Sequence, residues 1–376
     1  MDTGKSVRPP CPLFLIILLL FLLSSCHVAR YVYWNFADIH DNEKFPVIPI
    51  QASHRPSGFL KGSDTLALSL PDGYPCSDGN PDFEHFLAAH KTVAFLVIRH
   101  DSLIYEHYFK GYSRTSILPS FSIAKSFVSA LIGIAIAEGK IHSIDQPVTD
   151  FLPELADTGF RRVTLRDLLE MRSGIRFTEG YASPFGGMAK FYYGLNLKRY
   201  TLSLKTADAP GLAYNYQSAN TQLLAMALER ATGKSMAVYM EEKIWRPMGS
   251  IYPASWSTDS KFNREPKAFC CINASAIDFA RFGQLMLDQG KRGDDTIIPP
   301  GWVRESLTIH NDSHDSQGFP YTYHWRVTDR GDFFAKGILG QYIYVCPAKK
   351  IVIVRFGSKS GDLVWARFFS DLVKNL

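Results

Sequence analysis

A serine and a lysine lie three residues apart at the start of a strongly apolar stretch. Ser122 and Lys125 belong to SFSIAKSFVSALIGIAIA, in which Lys125 is the only charged residue. Residues three apart share one face of a helix, so the hydroxyl and the amine can point at one spot. Burial of a lone ammonium costs free energy and lowers the pKa of a lysine. A desolvated amine can take the proton of a serine hydroxyl, which would make Ser122 a nucleophile and Lys125 its base.

The expected surroundings of Ser122 favour this chemistry without requiring it. If Ser122 opens the helix, the unpaired N–H groups and the helix dipole stabilise negative charge next to its hydroxyl. The same two residues also fit a purely structural interpretation, in which Ser122 is a helix N-cap and Lys125 extends its amine to water. The spacing alone leaves both interpretations open.

Strands are predicted toward both ends of the chain, and helices in its middle. Residues 92–112 contain two β-rich segments around a turn, and short aromatic and β-branched segments separated by turns fill residues 321–357. Apolar residues at helical spacing occupy 164–174, 219–235 and 272–290. The order of these elements limits the folds that the chain can adopt.

These elements predict an α/β (α+β) fold. Strands from the N- and C-terminal parts can close one antiparallel sheet flanked by helices, and an all-helical subdomain is expected over approximately 140–300. The Ser122 helix would lie on the boundary between the two, where a cleft is the usual place for a site. The catalytic domain is expected to span 79–376, preceded by a tether and an irregular N-terminal wrap over 27–78.

The first 26 residues have the features of a secretory signal. Lys5 and Arg8 precede an apolar core of 11 residues, Leu13–Leu23, which is short for a membrane span. The core ends in LSSC, which resembles the bacterial lipobox, so Cys26 is the expected lipidated N-terminus of the mature protein. An uncleaved anchor and a signal with a chance cysteine are the alternatives. A lipid or an anchor predicts an extracytoplasmic protein tethered to a membrane.

The composition is that of a globular protein, with 376 residues of which 46% are hydrophobic and 20% charged. The 41 basic and 36 acidic residues are dispersed and give a net charge of +5, so no nucleic-acid partner is predicted. The cysteine and histidine spacing indicates no zinc site, and neither a metal nor another cofactor is expected. Cys270 and Cys271 are expected to be two small buried side chains rather than a disulfide, whose geometry is awkward between neighbours. The oligomeric state is left open.

The Ser122 segment and its continuation resemble the serine β-lactamase and penicillin-binding-protein superfamily. The resemblance runs through SFSIAKSFVSALIGIAIAEGKIHSIDQPVTDFLPEL and VTLRDLLEMRSGI, and it returns in PGLAYNYQSANTQLLAMALERATGKS and FFAKGILGQYIYVCPAKKIVIVRFG. It covers most of residues 80–376. More narrowly, the chain is similar to the class C-like branch, which includes D,D-peptidases, esterases and 6-aminohexanoate-dimer hydrolases. The resemblance implies Ser122 as the nucleophile and Lys125 as its general-base partner.

The second motif of the family is Tyr-x-Asn. Its distances from a preceding Pro-Gly and a following Leu-Leu pair place it on YQS, residues 216–218. The resemblance implies Tyr216 as the proton relay between the serine and the leaving group. Ser218 stands where the family has asparagine and offers fewer hydrogen-bonding groups to a substrate amide. A second register, SAN at residues 218–220, matches the Ser-x-Asn of other branches and stays open.

The third motif, usually Lys-Thr-Gly or His-Thr-Gly, corresponds to AKGILGQ, residues 335–341. Its glycines match, but the cation and the hydroxyl do not. The resemblance implies that the backbone N–H groups of Ser122 and Ile338 form the oxyanion hole, which requires no particular side chain at 338. Lys336 could replace the missing hydroxyl as a point charge or face solvent. Four residues of this motif are expected to bind substrate: Lys336, Gly337, Gly340 and Gln341.

These motifs predict a serine hydrolase that forms an acyl-enzyme and cleaves ester or amide bonds of small or short-peptide substrates. The missing hydroxyl of the third motif weighs against an efficient β-lactamase. A cell-wall D,D-peptidase or β-lactam-interacting protein is the alternative, and a catalytically inactive binding lipoprotein is less favoured because all three reactive side chains are present. The stretch 179–200, rich in glycine and aromatic residues, is either a lid over the cleft or an irregular surface connection.

Overall fold

The computed structural model describes residues 26–61, 67–74 and 79–376. The predicted signal core Leu13–Leu23 and the side chain of Cys26, the predicted lipidation site, lie outside the described residues. Within the described part of the chain, no helix is both long and apolar enough to cross a membrane. The signal and the lipidation therefore stay predictions.

The strands form a large sheet, a smaller sheet and a short hairpin. In chain order they are β1 (Val47–Ile50), β2 (Leu60–Lys61), β3 (Thr92–Arg99), β4 (Ser102–Tyr108), β5 (Leu118–Pro119), β6 (Ala254–Ser257), β7 (Ile272–Ala274), β8 (Lys291–Arg292), β9 (Asp295–Thr296), β10 (Arg326–Val327), β11 (Phe333–Gly337), β12 (Gln341–Cys346) and β13 (Ile351–Gly357). The large sheet has the order β10-β11-β12-β13-β3-β4-β2, and the smaller one β1-β6-β7-β5. The strand pairs are antiparallel except β2 with β4. The predicted mixed fold with an antiparallel sheet is confirmed, but the region over approximately 140–300 is not all-helical, because β6, β7, β8 and β9 lie within it.

The helices fall mainly between the first and last strands of the large sheet. In chain order they are α1 (Cys26–Trp34), α2 (Asp41–Lys44), α3 (Phe83–Ala89), α4 (Ala124–Ala137), α5 (Leu165–Leu169), α6 (Gly187–Tyr193), α7 (Leu197–Leu202), α8 (Ser218–Thr232), α9 (Met236–Met240), α10 (Ala276–Leu287), α11 (Pro300–Leu307) and α12 (Trp365–Leu372). A π-helical turn, Glu241–Trp245, continues α9.

Helices cover both faces of the large sheet. The central strands β3 and β13 are almost continuously apolar and are buried along nearly their whole length, as expected for strands covered on both sides. One face, which includes the paired Leu96 and Val354, packs against α4 and α10. The other face, which includes Val97 and Ile353, packs against α3 and α12. The sheet therefore fixes the start of α4, where Ser122 lies.

The N-terminal segment is attached to the body by regular structure. Strand β1 pairs with β6 in the smaller sheet, from Val47 opposite Ser257 to Ile50 opposite Ala254. The same sheet ends in β5, which pairs with β7 and leads directly into the Ser122 turn. The smaller sheet thus connects the N-terminal segment to the segment that carries the serine.

Two local expectations are corrected by the structure. The stretch 321–328, the first part of the strand-like region expected over 321–357, contains only the two-residue strand β10, because His324 has a φ of 62° and the chain turns back there. Cys270 and Cys271 are joined in a disulfide, so the expectation that they are two separate side chains is wrong. Both are buried, and Cys271 has a φ of 75°, in the left-handed region.

Candidate active site

Ser122 lies in a single 3₁₀ turn, Phe121–Ile123, that runs into the 14-residue helix α4. The preceding residue, Ser120, anchors this turn to β7: its N–H donates to the carbonyl of Ile272 at 2.8 Å, and its hydroxyl oxygen accepts the N–H of Ile272 at 3.0 Å. Phe121 has a φ of 45°, which turns the chain sharply before the serine. Ser122 therefore sits at the helix N-terminus, where the dipole favours negative charge.

Lys125 is buried in the first turn of α4 and is 1% exposed. Its Nζ lies 3.1 Å from Ser122 Oγ, 3.3 Å from Ser218 Oγ and 2.7 Å from the carbonyl oxygen of Phe269. The amine does not extend to solvent, which excludes the interpretation in which Lys125 only snorkels to water. Three polar partners converge on one buried nitrogen next to the serine hydroxyl.

Glu179 fixes the direction of the hydrogen bonds in this group. Its carboxylate accepts the backbone N–H of Ser218 at 2.7 Å and the hydroxyl of Ser218 at 2.6 Å. An ionised carboxylate has no proton to donate, so the Ser218 hydroxyl must donate to it. The Ser218 oxygen is then left as an acceptor for Lys125. The Tyr181 hydroxyl also donates to Glu179, at 2.9 Å.

The resulting polarity suits a general base. A neutral lysine amine has two N–H donors and one lone pair. The carbonyl of Phe269 can only accept, and Ser218 accepts because its own proton goes to Glu179. Both N–H groups of a neutral Lys125 are therefore used, and its lone pair is left for the hydroxyl of Ser122 at 3.1 Å. This is the arrangement that lets a lysine accept the proton of a serine.

Tyr216 lies beside the amine, and Asn220 does not. The ring centroid of Tyr216 is 5.0 Å from Lys125 Nζ, and Tyr216 lines the same cleft as Ser122. Asn220 is buried away from the cleft lining, where its side chain bonds to Ser173 and Met171. Ser218 belongs to both possible registers of the second motif, 216–218 and 218–220. It contacts Lys125, whereas Asn220 does not.

The end of β11 lies against the serine turn. A Cβ at Gly337 would come within 2.5 Å of the Ser120 carbonyl oxygen and 3.1 Å of the Phe121 Cβ, so only glycine permits this approach. Ile338 follows in a 3₁₀ turn and lines the cleft together with Ser122. Their backbone N–H groups as the oxyanion hole remain a prediction, to which this proximity is favourable.

Lys336 lines the cleft rather than facing open solvent. Its Nζ donates to the side-chain oxygen of Gln317 at 2.6 Å. Burial and the nearby guanidinium of Arg326 lower the pKa of Lys336 to about 8, although Asp315 acts in the opposite direction. Arg326 is paired with Asp315 at 2.6 Å. The cleft has a volume of about 360 Å³, and its lining includes Lys336, Arg326, Asp315 and Glu179.

Gly340 and Gln341 are not among the residues that line the cleft, and we no longer assign them to substrate binding. The carbonyl of Gly340 accepts from the buried guanidinium of Arg355 at 2.5 Å. The side-chain amide of Gln341 is buried, donates to the carbonyl of Gly357 at 3.0 Å and accepts the Gly357 N–H at 2.7 Å. Both residues hold the strand after the cleft, not a ligand.

Sequence reasoning missed three side chains of the cleft. Glu179 lies in the segment that was expected to be a lid or a surface connection, and its carboxylate instead reaches Ser218. Asp315 comes from a loop and Arg326 from the short strand β10, and no motif surrounds either residue. No cluster of three or more histidine, cysteine, aspartate or glutamate side chains that could hold a metal ion occurs among residues 26–61, 67–74 and 79–376.

Comparison with known sequences agrees with the motifs. The profile described as Beta-lactamase matches residues 82–364. The 6-aminohexanoate-dimer hydrolase of Paenarthrobacter ureafaciens is 29% identical over 361 residues, which are 89% of this chain and 88% of that protein. Esterase EstB of Burkholderia gladioli is 30% identical over 142 residues, 34% of this chain and 36% of the esterase. D-aminopeptidase of Brucella anthropi is 29% identical over 138 residues, 35% of this chain and 25% of that enzyme.

Solved structures share the fold at lower identity. A Bacillus anthracis protein, provisionally described as a 6-aminohexanoate-dimer hydrolase, superposes with a TM-score of 0.78 at 24% identity and covers 92% of this chain and 93% of its own. A class C β-lactamase superposes with a TM-score of 0.61 at 17% identity, over 78% of this chain and 94% of its own. At these identities the likeness establishes the fold.

Proposed function

Because the chain belongs to the β-lactamase family, we propose that it hydrolyses esters or amides through an acyl-enzyme on Ser122, at a membrane to which its N-terminus tethers it. The observation that carries the catalytic part is the distance of 3.1 Å between Lys125 Nζ and Ser122 Oγ, within a network that leaves the lysine lone pair for the serine. The named relatives are hydrolases of esters and amides, which supports this reaction class.

Acylation begins with transfer of the Ser122 proton to Lys125. The Oγ then attacks the substrate carbonyl carbon, and the carbonyl oxygen takes the negative charge toward the N–H groups of Ser122 and Ile338. When the tetrahedral intermediate collapses, the bond to the leaving oxygen or nitrogen breaks, and that atom receives the proton from the ammonium of Lys125, with Tyr216 as the relay. The acid part of the substrate remains as an ester on Ser122.

Deacylation reverses the roles of the same groups. Lys125, neutral again, takes a proton from a water molecule, whose oxygen attacks the ester carbonyl. The second tetrahedral intermediate expels Ser122 Oγ, which regains a proton from the lysine. The carboxylic acid product leaves, and the hydrogen-bond pattern of the resting site is restored. Each proton and each bond is accounted for by Ser122, Lys125, Tyr216 and water.

The charges of the cleft suggest the substrate class. Arg326 is paired with Asp315, whereas the Lys336 amine bonds to the amide oxygen of Gln317, so Lys336 can attract an anionic group of a substrate in the cleft. Lys336 has its pKa lowered to about 8, so it is a cation at neutral pH. We assign the substrates as small or short-peptide esters and amides, of which those with a carboxylate should bind best.

The localisation rests on the sequence. The apolar core Leu13–Leu23 and the lipobox-like LSSC precede the described body of the protein. We propose that Cys26 carries a lipid, or that the apolar segment stays as an anchor, and that the catalytic domain lies outside the cytoplasm. Incorporation of radiolabelled palmitate into the wild type but not into Cys26→Ala supports the lipid; equal incorporation contradicts it.

A fluorophosphonate probe tests the nucleophile. We expect the wild type to be labelled on Ser122 and to show a burst with p-nitrophenyl acetate, and Ser122→Ala to lose both. Ser113→Ala, in an exposed loop, is the matched control and should behave as the wild type. Labelling of Ser122→Ala at the wild-type rate would overturn the assignment. A panel of p-nitrophenyl esters, D-amino-acid amides and nitrocefin then separates esterase, amidase and β-lactamase activity.

A further inference from the structure

The end of the first described helix, α1, and the turn after it carry exposed apolar side chains. Val32 is 71% exposed and Tyr33 82%, and Phe36, just after the helix, is 57% exposed. Large apolar side chains grouped on a surface are typical of an interaction site, because single exposed residues are common but clusters are not. We call Val32, Tyr33, Phe36 and Tyr181 the interfacial patch.

The rest of α1 is fixed to the body of the protein. Val28 is buried, and the ring of Trp34 stacks at 6.4 Å on Tyr193. The guanidinium of Arg30 donates to the carbonyl of Asp259 at 3.1 Å and lies 4.6 Å from the ring centroid of Trp34. The helix is therefore part of the folded domain, and whatever its exposed face binds sets the orientation of the whole domain.

The same surface continues to the rim of the cleft. The hydroxyl of Tyr31 donates to the carbonyl of Tyr181 at 3.0 Å. Tyr31, Phe36 and Tyr181 line one small apolar pocket, and Tyr181, which is 41% exposed, also lines the cleft with Ser122. Another residue of the same loop, Phe185, is 64% exposed. The interfacial patch and the mouth of the active site therefore share a residue.

The sequence identifies what lies next to this patch. The apolar core ends at Leu23, three residues before Cys26, so at most about 11 Å of extended chain separates the two. A helix rises 1.5 Å per residue, which places Tyr33 about 10 Å along α1 from Cys26. A lipid on Cys26 or an anchor ending at Leu23 would thus bring the patch to the bilayer surface, where tyrosine and tryptophan are favoured.

We propose that the interfacial patch docks on the lipid bilayer, so that the mouth of the catalytic cleft opens beside the membrane surface. The proposal rests on the membrane tether of the proposed function and adds the face of the domain that contacts lipid. Substrates that are themselves amphiphilic, with an ester or amide near the headgroup level, would reach Ser122 from this side.

Lipid quenching in proteoliposomes tests the docking. The full chain is reconstituted into vesicles of phosphatidylcholine and phosphatidylglycerol, with or without a spin-labelled phospholipid, after bimane labelling of Tyr33→Cys or Phe36→Cys. The unmutated protein gives the background from native cysteines. The matched control is Leu60→Cys. Leu60 is 65% exposed and lies on β2, where it pairs with Ser102. This is one end of the large sheet, and Gly357 lies at the other end.

We expect spin-labelled lipid to reduce bimane emission at 33 and 36 at least twofold and to leave the emission at 60 unchanged. Equal quenching at all three positions, or none at any, would overturn the docking. A label at 36 that is shielded from water but not quenched would show that protein covers the patch, and would also overturn it. Failure of the protein to float with the vesicles would refute the tether itself, which distinguishes the two proposals.

Discussion

Glu179→Gln perturbs the hydrogen-bond direction on which the proposed base depends. In the structure the two carboxylate oxygens accept the N–H of Ser218 at 2.7 Å and its hydroxyl at 2.6 Å. Glutamine keeps one oxygen and replaces the other by an N–H₂ donor. One of the two bonds is then lost. The new N–H₂ group either faces another donor, or it makes the Ser218 hydroxyl turn its proton toward Lys125.

The size of the effect follows from the number of bonds lost. A hydrogen bond to a charged group contributes about 1.5–3 kcal/mol. If that loss appears fully in the acylation transition state, kcat/KM falls roughly 10- to 150-fold.

Thermal unfolding separates catalysis from structure. We expect kcat/KM of Glu179→Gln for a neutral p-nitrophenyl ester to fall while its Tm changes by no more than a few degrees, because the lost bond lies beside the lysine. A structural loss would instead lower the Tm and the fraction of folded protein together with the rate. Glu154→Gln, at a surface ion pair with Arg230, is the control and should change neither quantity. A Glu179→Gln variant with kcat/KM within twofold of the wild type would refute the reasoning.

Four further substitutions test the rest of the site. Tyr216→Phe should lower kcat by about 10²–10⁴ because it removes the proton relay, while Ser218→Ala should cost roughly tenfold; the reverse order would assign the relay to Ser218. Lys336 loses its charge as the pH rises through about 8, so KM for a carboxylate-bearing ester should rise above that pH in the wild type but not in Lys336→Met, whereas a neutral ester should show no difference. Gly337→Ala places a Cβ 2.5 Å from the Ser120 carbonyl oxygen, so its acylation rate should fall at least tenfold and its Tm by a few degrees; a wild-type rate would show that β11 need not approach the serine turn.

The parts of the site that depend on local sequence could be predicted. Ser122 and Lys125 meet because a helical turn brings them together, and the apolar stretch around them shows that the turn is buried. Thr164 caps α5 by accepting the N–H of Asp167, whose carboxylate accepts the Thr164 N–H in return, and the helix predicted over 164–174 ends at Leu169. In each case the interaction spans three or four residues, so spacing alone contains the information.

The parts that depend on tertiary placement could not be predicted. The carbonyl of Phe269 accepts from Lys125 across 144 positions of the chain, and a backbone oxygen leaves no trace in residue types. Glu179 is in a loop whose path no periodicity describes. Gln341 stands close to Gly337 in the motif, but it begins the next strand, where its amide pairs with Gly357 instead of entering the cleft. Motif proximity does not determine the side on which a residue faces.

Glu179 explains why the third position of the second motif is a serine, Ser218. An asparagine there would present an N–H₂ group that could donate to the carboxylate, but its carbonyl oxygen would have to reach Lys125 from the same planar amide. A hydroxyl does both with a single atom: Ser218 Oγ donates to Glu179 and accepts from Lys125. Ser218, in place of the asparagine, and Glu179 thus belong to the same hydrogen-bond network around Lys125. We therefore expect Ser218→Asn alone to lower kcat/KM more than Ser218→Asn combined with Glu179→Gln. In the double variant the acceptor and donor groups can pair again.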